Sequence, residues 1–184
     1  MQVGFSSASV GGNDVKNLDA QSISTFNAGI FINFSYAGLI GVEPEILYSL
    51  KGYKAEMPYF GQTLTATAHI SYIEIPVLFK LNVLPSSSIG VIKPNLFVGP
   101  EAAFKLRGKM KVEITGLPTK EQDMQNTTAI DLGLIFGAGA DLHFSSMTIS
   151  LDLRYDLGMR TLDSEPNPQD IKNGVLSANA GIGF

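Results

Sequence analysis

Cysteine is absent from the chain, and charged residues make up only 16% of its 184 residues. Without cysteine, neither a disulfide framework nor a thiolate metal site can form. The formal net charge is −4, so no basic surplus points to nucleic acid as a partner. No apolar run approaches the roughly 18 residues that a membrane helix needs, which excludes a helical membrane protein.

A signal peptide is also missing, because Met1–Gly4 leads directly into a strand-like segment. We expect the numbering of an exported protein to start at its mature chain, with Met1 added, since signal peptides are removed on export. A cytoplasmic protein would begin in the same way, so this expectation depends on the rest of the sequence.

What the chain does contain is a recurrent alternation of apolar and polar residues, with 45% hydrophobic residues and 19 glycines overall. Period-two alternation predicts β-strands with two different faces, and no helical spacing of apolar residues persists. The predicted strands are Gln2–Ser7, Ser24–Tyr36, Leu39–Tyr53, Ile70–Leu81, Pro94–Leu106, Thr127–Phe144, Met147–Met159 and Val175–Phe184.

The predicted connections between these strands alternate in length. Short links are expected at Ala37-Gly38, Asn82–Lys93 and Ser145-Ser146, and long polar links at Ala8–Ile23, Lys54–Ala68, Arg107–Asn126 and Arg160–Gly174. Long loops on one rim and short turns on the other are typical of transmembrane barrels. The sequence therefore predicts an all-β, eight-stranded antiparallel up-and-down transmembrane β-barrel, formed by one domain over residues 1–184, with both termini on the periplasmic side.

The polarity of the two strand faces supports a membrane environment. In Thr127–Phe144, one face carries Leu132, Leu134 and Phe136 without any charge, and the other carries Asp131 and Asp141. An ordinary soluble core does not hold so many charged groups, whereas a hydrated lumen does. Near strand ends, Tyr36, Tyr48 and Tyr155 lie where an aromatic girdle is expected. The charged residues on the polar faces are Glu43, Glu45, Lys51, Glu74, Lys80, Glu101, Lys105, Asp131, Asp141, Asp152, Arg154 and Asp156.

The alternative to a transmembrane barrel is a soluble β-sandwich whose charged strand faces point to water, because alternation alone does not show which face is in contact with solvent.

Several segments resemble motifs of the PorT-like outer-membrane β-barrel family of Bacteroidetes. They are Glu43–Tyr53, Tyr72–Lys80, Pro94–Pro100, the strand with Asp131-Leu132-Gly133 and Gly137-Ala138-Gly139, and the closing Gly181–Phe184. The resemblance covers nearly the whole chain and implies an eight-stranded barrel in the outer membrane of a Gram-negative bacterium. It also implies that the terminal strand ending in Phe184 is read by the barrel-assembly machinery. The family's link to protein secretion does not carry over, since fold does not imply function.

The residues predicted to matter inside the barrel form a polar cluster. If the strand registers align, clustered carboxylates could act as acid and base or hold a cation. The alternative is a structural plug in which Arg154, Lys80 or Lys105 crosses the lumen to pair with them, since small barrels are filled by side chains. The predicted cluster consists of Glu43, Glu45, Glu74, Glu101, Asp131, Asp152 and Arg154.

The loop after the third predicted strand is a second candidate site, because Tyr53, Met57, Tyr59 and Phe60 give it an apolar tip. It would contact a partner, lipopolysaccharide or a small hydrophobic ligand, or it would pack over the barrel mouth. His69 and His143 are predicted at opposite rims and therefore cannot share a catalytic site. No metal-binding spacing and no phosphate-binding glycine loop is present.

We therefore expect a monomeric, non-enzymatic barrel without a cofactor or bound metal, with a plugged polar lumen and a structural or recognition role for its extracellular loops. Its expected partners are outer-membrane lipids and lipopolysaccharide and the assembly machinery, and a link to secretion or surface interaction stays open. The alternatives are a narrow channel or transporter for a small or hydrophobic ligand, and a barrel enzyme that uses Glu74 or Glu101.

Overall fold

The structure, a computed structural model, describes residues 1–11, 20–59, 62–83, 92–114, 118–124, 129–144, 146–159 and 172–184. Within them, no helix is long and apolar enough to cross a membrane. The described residues form ten strand segments: β1 (Gln2–Gly11), β2 (Ala20–Phe31), β3 (Phe34–Tyr36), β4 (Ile40–Tyr59), β5 (Gln62–Asn82), β6 (Ile92–Ile114), β7 (Lys120–Asp123), β8 (Ile130–His143), β9 (Thr148–Gly158) and β10 (Lys172–Gly183).

Eight of these segments close into a ring of antiparallel neighbours. The order is β2-β1-β10-β9-β8-β6-β5-β4, and pairing of β4 with β2 completes the ring. The two segments beyond the predicted eight are short: β3 continues beside β4 after a break in β2, and β7 pairs with β6. Closure removes the edges of the sheet, so the ring satisfies its own backbone hydrogen bonds. The predicted all-β, up-and-down barrel is confirmed.

The short turns and both termini lie at one rim, which we call the turn rim, and the opposite end is the loop rim. At the turn rim, Ala37 (φ 50°) and Gly38 (φ 69°) connect β3 to β4, and the amide of Leu39 donates to the carbonyl of Tyr36 at 3.1 Å. Positive φ at both central residues defines a type I′ turn, whose twist matches a tight hairpin. The predicted two-residue link is therefore present. Residues 84–91 of the second predicted short link, Asn82–Lys93, and Ser145 of the third, Ser145-Ser146, lie outside the described residues.

Between the two rims, the apolar face of each strand points out of the barrel, as the alternation predicts. Leu132, Leu134 and Phe136 are each more than a third exposed, while Asp131 and Glu101 are buried inside. Tyr36, Tyr48 and Tyr155 also lie on the outer surface. This polarity is the reverse of a soluble barrel, whose apolar side chains fill the centre. It excludes the β-sandwich with water-facing charged strands.

The interior is not uniformly polar, because Leu78, Phe97 and Ile135 form a buried apolar layer across it. Gly137 makes room for this layer, since a Cβ at that position would come within 2.6 Å of the Phe97 ring. The glycine on the inner face of β8 thus allows a large side chain from the neighbouring β6 to lie flat against the wall.

Two of the predicted long loops are strands instead. β4, β5 and β6 have 20, 21 and 23 residues, while β9 and β10 have 11 and 12. The prediction of a loop is therefore wrong over Lys54–Tyr59 and Gln62–Ala68, and it is wrong over Arg107–Ile114 and over β7. β1 and β10 also run four and three residues, respectively, beyond their predicted ends at the loop rim.

We call the part of the wall that rises above the loop rim the projecting sheet. It consists of residues 52–59 of β4, 62–71 of β5, 107–114 of β6 and the whole of β7. Its inner face is apolar and its outer face polar, so the polarity of the wall is inverted there. Short polar residues such as Thr63, Thr65 and Thr67 alternate with Leu64, Ala66 and Ala68, which explains why this region resembles a loop in the sequence.

A β-bulge in β6 produces the inversion on that strand. Ser71 pairs with Arg107 and Tyr72 pairs with Lys105, so Leu106 is an extra residue in β6. Even-numbered residues face outward up to Leu106, and odd-numbered residues face outward from Arg107. A bulge re-aims the side chains that follow it. Met110, Val112 and Ile114 therefore turn inward instead of continuing the outer apolar face.

Candidate functional site

The buried charged side chains inside the barrel form two groups at different heights. The upper group is centred on Lys51 of β4, and the lower group on Arg154 of β9 with Lys80 of β5. The four glutamates predicted to lie together, Glu43, Glu45, Glu74 and Glu101, are split between these groups. Their heights depend on the stagger of the strands, and the sequence does not give that stagger.

In the upper group, one ammonium lies among three carboxylates from three other strands. Lys51 Nζ is 3.0 Å from Glu74 Oε1 and 3.0 Å from Glu101 Oε1, and it also donates to Asp156. These carboxylate oxygens lie within 4.8 Å of one another. Such spacing suits a cation, and here the Lys51 ammonium supplies the positive charge. The ammonium also lies 5.7 Å from the ring centroid of Tyr72, which is fully buried.

The lower group is built around Arg154. Its guanidinium donates to Glu45 at 2.7 Å and 3.0 Å, to Asp152 at 2.7 Å and to the amide oxygen of Gln2 at 3.1 Å. Gln2 in turn donates to Glu45 at 2.7 Å. Lys80 pairs with Glu43 at 2.7 Å. Bidentate pairing fixes the guanidinium in one orientation, so this group joins β1, β4 and β9 across the lumen.

Phe97 lies between the two cations of the lower group. Its ring centroid is 5.7 Å from Lys80 Nζ and 5.5 Å from Arg154 Cζ. A cation over an aromatic face is stabilised by the ring quadrupole. The apolar layer and the ionic groups thus pack directly against one another and fill the barrel cross-section.

Amide side chains hold the remaining carboxylates. Asn173 donates to Asp131 at 2.8 Å, Asn95 to Asp141 at 3.2 Å, and Asn33 to Glu43 at 2.7 Å. All seven residues of the predicted cluster therefore face the lumen, but sequence reasoning missed Lys51 as the central cation of the upper group. Its position on the polar face of β4 could have identified Lys51 as a residue that faces the lumen. Lys105, a predicted pairing residue, is only partly buried.

Eight carboxylates but only three cations are buried among the described residues: Glu43, Glu45, Glu74, Glu101, Asp131, Asp141, Asp152 and Asp156 against Lys51, Lys80 and Arg154. Between them remains a cavity of about 20 Å³. Roughly 10–15 Å³ is the least that holds one water molecule. Cations and carboxylates thus pair across the lumen, and the buried groups that the structure describes carry an excess of acidic charge.

Comparison with known families decides where such a barrel belongs. The model of a family described as the outer membrane protein beta-barrel domain matches residues 1–164. The chain belongs to this family. It is an outer-membrane β-barrel of the Gram-negative type, with its apolar outer face in contact with lipid.

Solved structures similar to this outer-membrane barrel share little sequence with it. Neisserial surface protein A is 13% identical with a TM-score of 0.47, and the match covers 97% of this chain and 92% of that one. Ail of Yersinia pestis, solved with the heparin analogue sucrose octasulfate, is 15% identical with a TM-score of 0.40 over 100% and 95%. The N-terminal barrel of Pseudomonas aeruginosa OprF is 10% identical with a TM-score of 0.32 over 97% and 96%. No curated protein matches the sequence.

In the outer-membrane barrel, the residues of the predicted loop site lie on the projecting sheet. Tyr53 and Met57 are on its apolar inner face, where they pair with Ala68 and Leu64 of β5. Met57 is 40% exposed. The side chain of Tyr59 and all of Phe60 lie outside the described residues. What was predicted as an apolar loop tip is thus, for Tyr53 and Met57, part of an apolar strand face.

The two histidines lie at opposite ends of the barrel. His69 is exposed and pairs with Lys109 on the outer face of the projecting sheet. His143 is near the turn rim, where its Nδ1 is 2.9 Å from Thr148 Oγ1. His69 therefore lies on the opposite face of the wall from the upper group, since it pairs with Gly52 beside Lys51, and His143 lies near the other end of the barrel.

Proposed function

We propose that this chain is a monomeric recognition barrel of the outer membrane, with a plugged lumen and with binding carried out by its extracellular projecting sheet. The observation that supports the proposal is the set of buried ion pairs in which Lys51, Lys80 and Arg154 cross the lumen to carboxylates on other strands. A rigid scaffold that presents exposed segments is a common arrangement for recognition. A structural, non-enzymatic role is supported because cations or amides hold the buried carboxylates instead of leaving them open to a substrate.

A narrow cation channel is the second candidate, and the acidic excess of the lumen favours it. If the plug loosened, eight carboxylates would attract cations and repel anions. The two candidates differ in the ion current expected across a planar bilayer.

Conductance measurements test the plug. We expect the refolded barrel to give no steady current in a planar bilayer, because Lys51 and Arg154 pair with carboxylates of other strands and so cross the lumen at two heights. Lys109→Gln, on the outer surface, is the matched control and should be equally silent. A steady, cation-selective current from the wild-type barrel would overturn the plugged lumen and support the channel.

Single-cysteine labelling tests the orientation, because the chain has no cysteine of its own. Met57→Cys on the projecting sheet should react with a membrane-impermeant maleimide on intact cells. Ser146→Cys at the turn rim should react only after the outer membrane is permeabilised. The reverse pattern would place the projecting sheet in the periplasm and remove its proposed recognition role.

Within the family, we propose a place in the PorT-like branch of Bacteroidetes, supported by the Tyr72–Lys80 and Glu43–Tyr53 segments. A link to secretion or surface interaction rests on that placement. The terminal Phe184, 97% exposed beyond β10, is the residue we propose for contact with the barrel-assembly machinery.

A further inference from the structure

The apolar band on the outer surface ends abruptly at the bulge in β6. Because Leu106 is the extra residue, Leu106 and Arg107 both face outward although they are consecutive. Leu106 is 58% exposed, and the Arg107 side chain is 64% exposed. On this strand, the surface changes from lipid-facing to cationic within one residue.

Above this boundary, basic side chains follow one another on the outer face of the projecting sheet. Arg107, Lys109 and Lys111 alternate along β6, so they are spaced by roughly 7 Å. His69 pairs with Lys109 on the neighbouring β5, and Lys54 of β4 lies in the same row as Lys111. The three cations of β6 thus extend from the edge of the apolar band to the height of the lipid headgroups.

Each of these lysines and Arg107 has an exposed acidic partner that lies to the side or farther from the band, including Glu56 for Lys54. On the flanking β7, Asp123 is 3.4 Å from Arg107 and Glu121 is 3.4 Å from Lys109. Glu113 pairs with Lys111 at 2.9 Å, one row higher. Exposed ion pairs contribute little to stability, so an incoming anion can replace these carboxylates.

We propose that Arg107, Lys109 and Lys111 bind the phosphate groups of lipopolysaccharide in the outer leaflet. Guanidinium and ammonium groups are the usual protein ligands of phosphate, and Arg107 offers a bidentate fork at the height where the headgroup begins. The glycolipid's acyl chains would then lie against the apolar surface below Leu106. This contact holds the outer face of the projecting sheet against the leaflet; it rests on the extracellular orientation proposed above and does not depend on the state of the lumen.

Titration with purified lipid A in detergent micelles tests the proposal. The variant is Arg107→Gln/Lys109→Gln, and the matched control is Lys93→Gln/Lys120→Gln, which removes two cations that lie away from this outer face. We expect diphosphorylated lipid A to bind the wild type and the control alike. Since each basic residue near a lipid surface contributes about fivefold in affinity, the double variant should bind about 10- to 30-fold more weakly.

Three further probes separate the sources of phosphate. Dephosphorylated lipid A, phosphatidylglycerol and inorganic phosphate at the same concentration should each bind the wild type much more weakly than diphosphorylated lipid A does. Equal binding of phosphatidylglycerol would mean that the surface takes any anionic lipid, and equal binding of inorganic phosphate would mean a site for a soluble anion. Either result, or an equal loss of lipid A binding in the control, would overturn the proposal.

Discussion

Leu134→Arg is expected to prevent most of the protein from assembling in a bilayer. Leu134 lies on the outer face of β8 between Leu132 and Phe136, within the apolar band. An arginine that faces lipid costs up to about 2–4 kcal/mol, depending on its depth, which lowers the folding equilibrium by up to roughly 30- to 900-fold. The measurement is the fraction of protein that shows heat-modifiable migration after refolding into lipid vesicles.

The depth of the substitution provides the control. Leu106→Arg places the same side chain at the loop-rim edge of the apolar band, beside Arg107, where the cost falls to about 0–1 kcal/mol. Leu106→Arg should therefore assemble nearly as well as the wild type. If Leu134→Arg assembled to the same extent as Leu106→Arg, the outer face of β8 would not be in contact with the lipid core.

The polarity of the barrel wall follows from sequence because it depends only on alternation. Along β8, apolar residues alternate with small or polar residues. In the structure, from Ile130 to Leu142, the apolar set faces outward and the small or polar set faces inward. The same holds for the lower parts of β4 and β5. Period-two patterning fixes which residues share a face, and the absence of charge on one face then fixes which side is in lipid.

The projecting sheet could not be predicted in the same way, because its polarity is inverted. On β6, even-numbered residues stay apolar from Leu96 to Ile114, so alternation alone would keep Met110 and Val112 on the lipid side. One extra residue, Leu106, shifts the alternation by one position, so that odd-numbered residues face outward beyond it. No feature of the sequence marks a bulge at that point. The bulge matters because β6 leaves the membrane there, and the apolar side chains beyond it must face away from water.

The pairing inside the lumen also lies beyond sequence reasoning. Lys51, Glu74, Glu101 and Asp156 come from β4, β5, β6 and β9, and each is predicted to face inward. Their meeting depends on the relative heights of the four strands and on Asp156 reaching from the far wall. Alternation identifies the inward face but not the height, so the sequence could show an acidic interior without showing which cation neutralises which acid.

Lys51→Met is expected to be the most destabilising of the lumen substitutions. It removes the ammonium from among Glu74, Glu101 and Asp156, all of which are buried. Removing one partner of a buried ion pair typically costs about 3–5 kcal/mol, because the remaining charge has no compensation. The free energy of unfolding in urea, measured on the refolded barrel in lipid vesicles, gives this loss directly.

Lys111→Met is the matched control, since Lys111 has one exposed partner, Glu113, at 2.9 Å, and the loss should be at most about 1 kcal/mol. The decisive variant combines Lys51→Met with Glu74→Gln, Glu101→Gln and Asp156→Asn. If repulsion among uncompensated carboxylates causes the instability, neutralising them should restore most of the lost free energy, because neutral buried groups carry no charge that needs a partner. If the combined variant were as unstable as Lys51→Met alone, the methionine side chain itself would be at fault, and Lys51 would act by filling space and not by its charge.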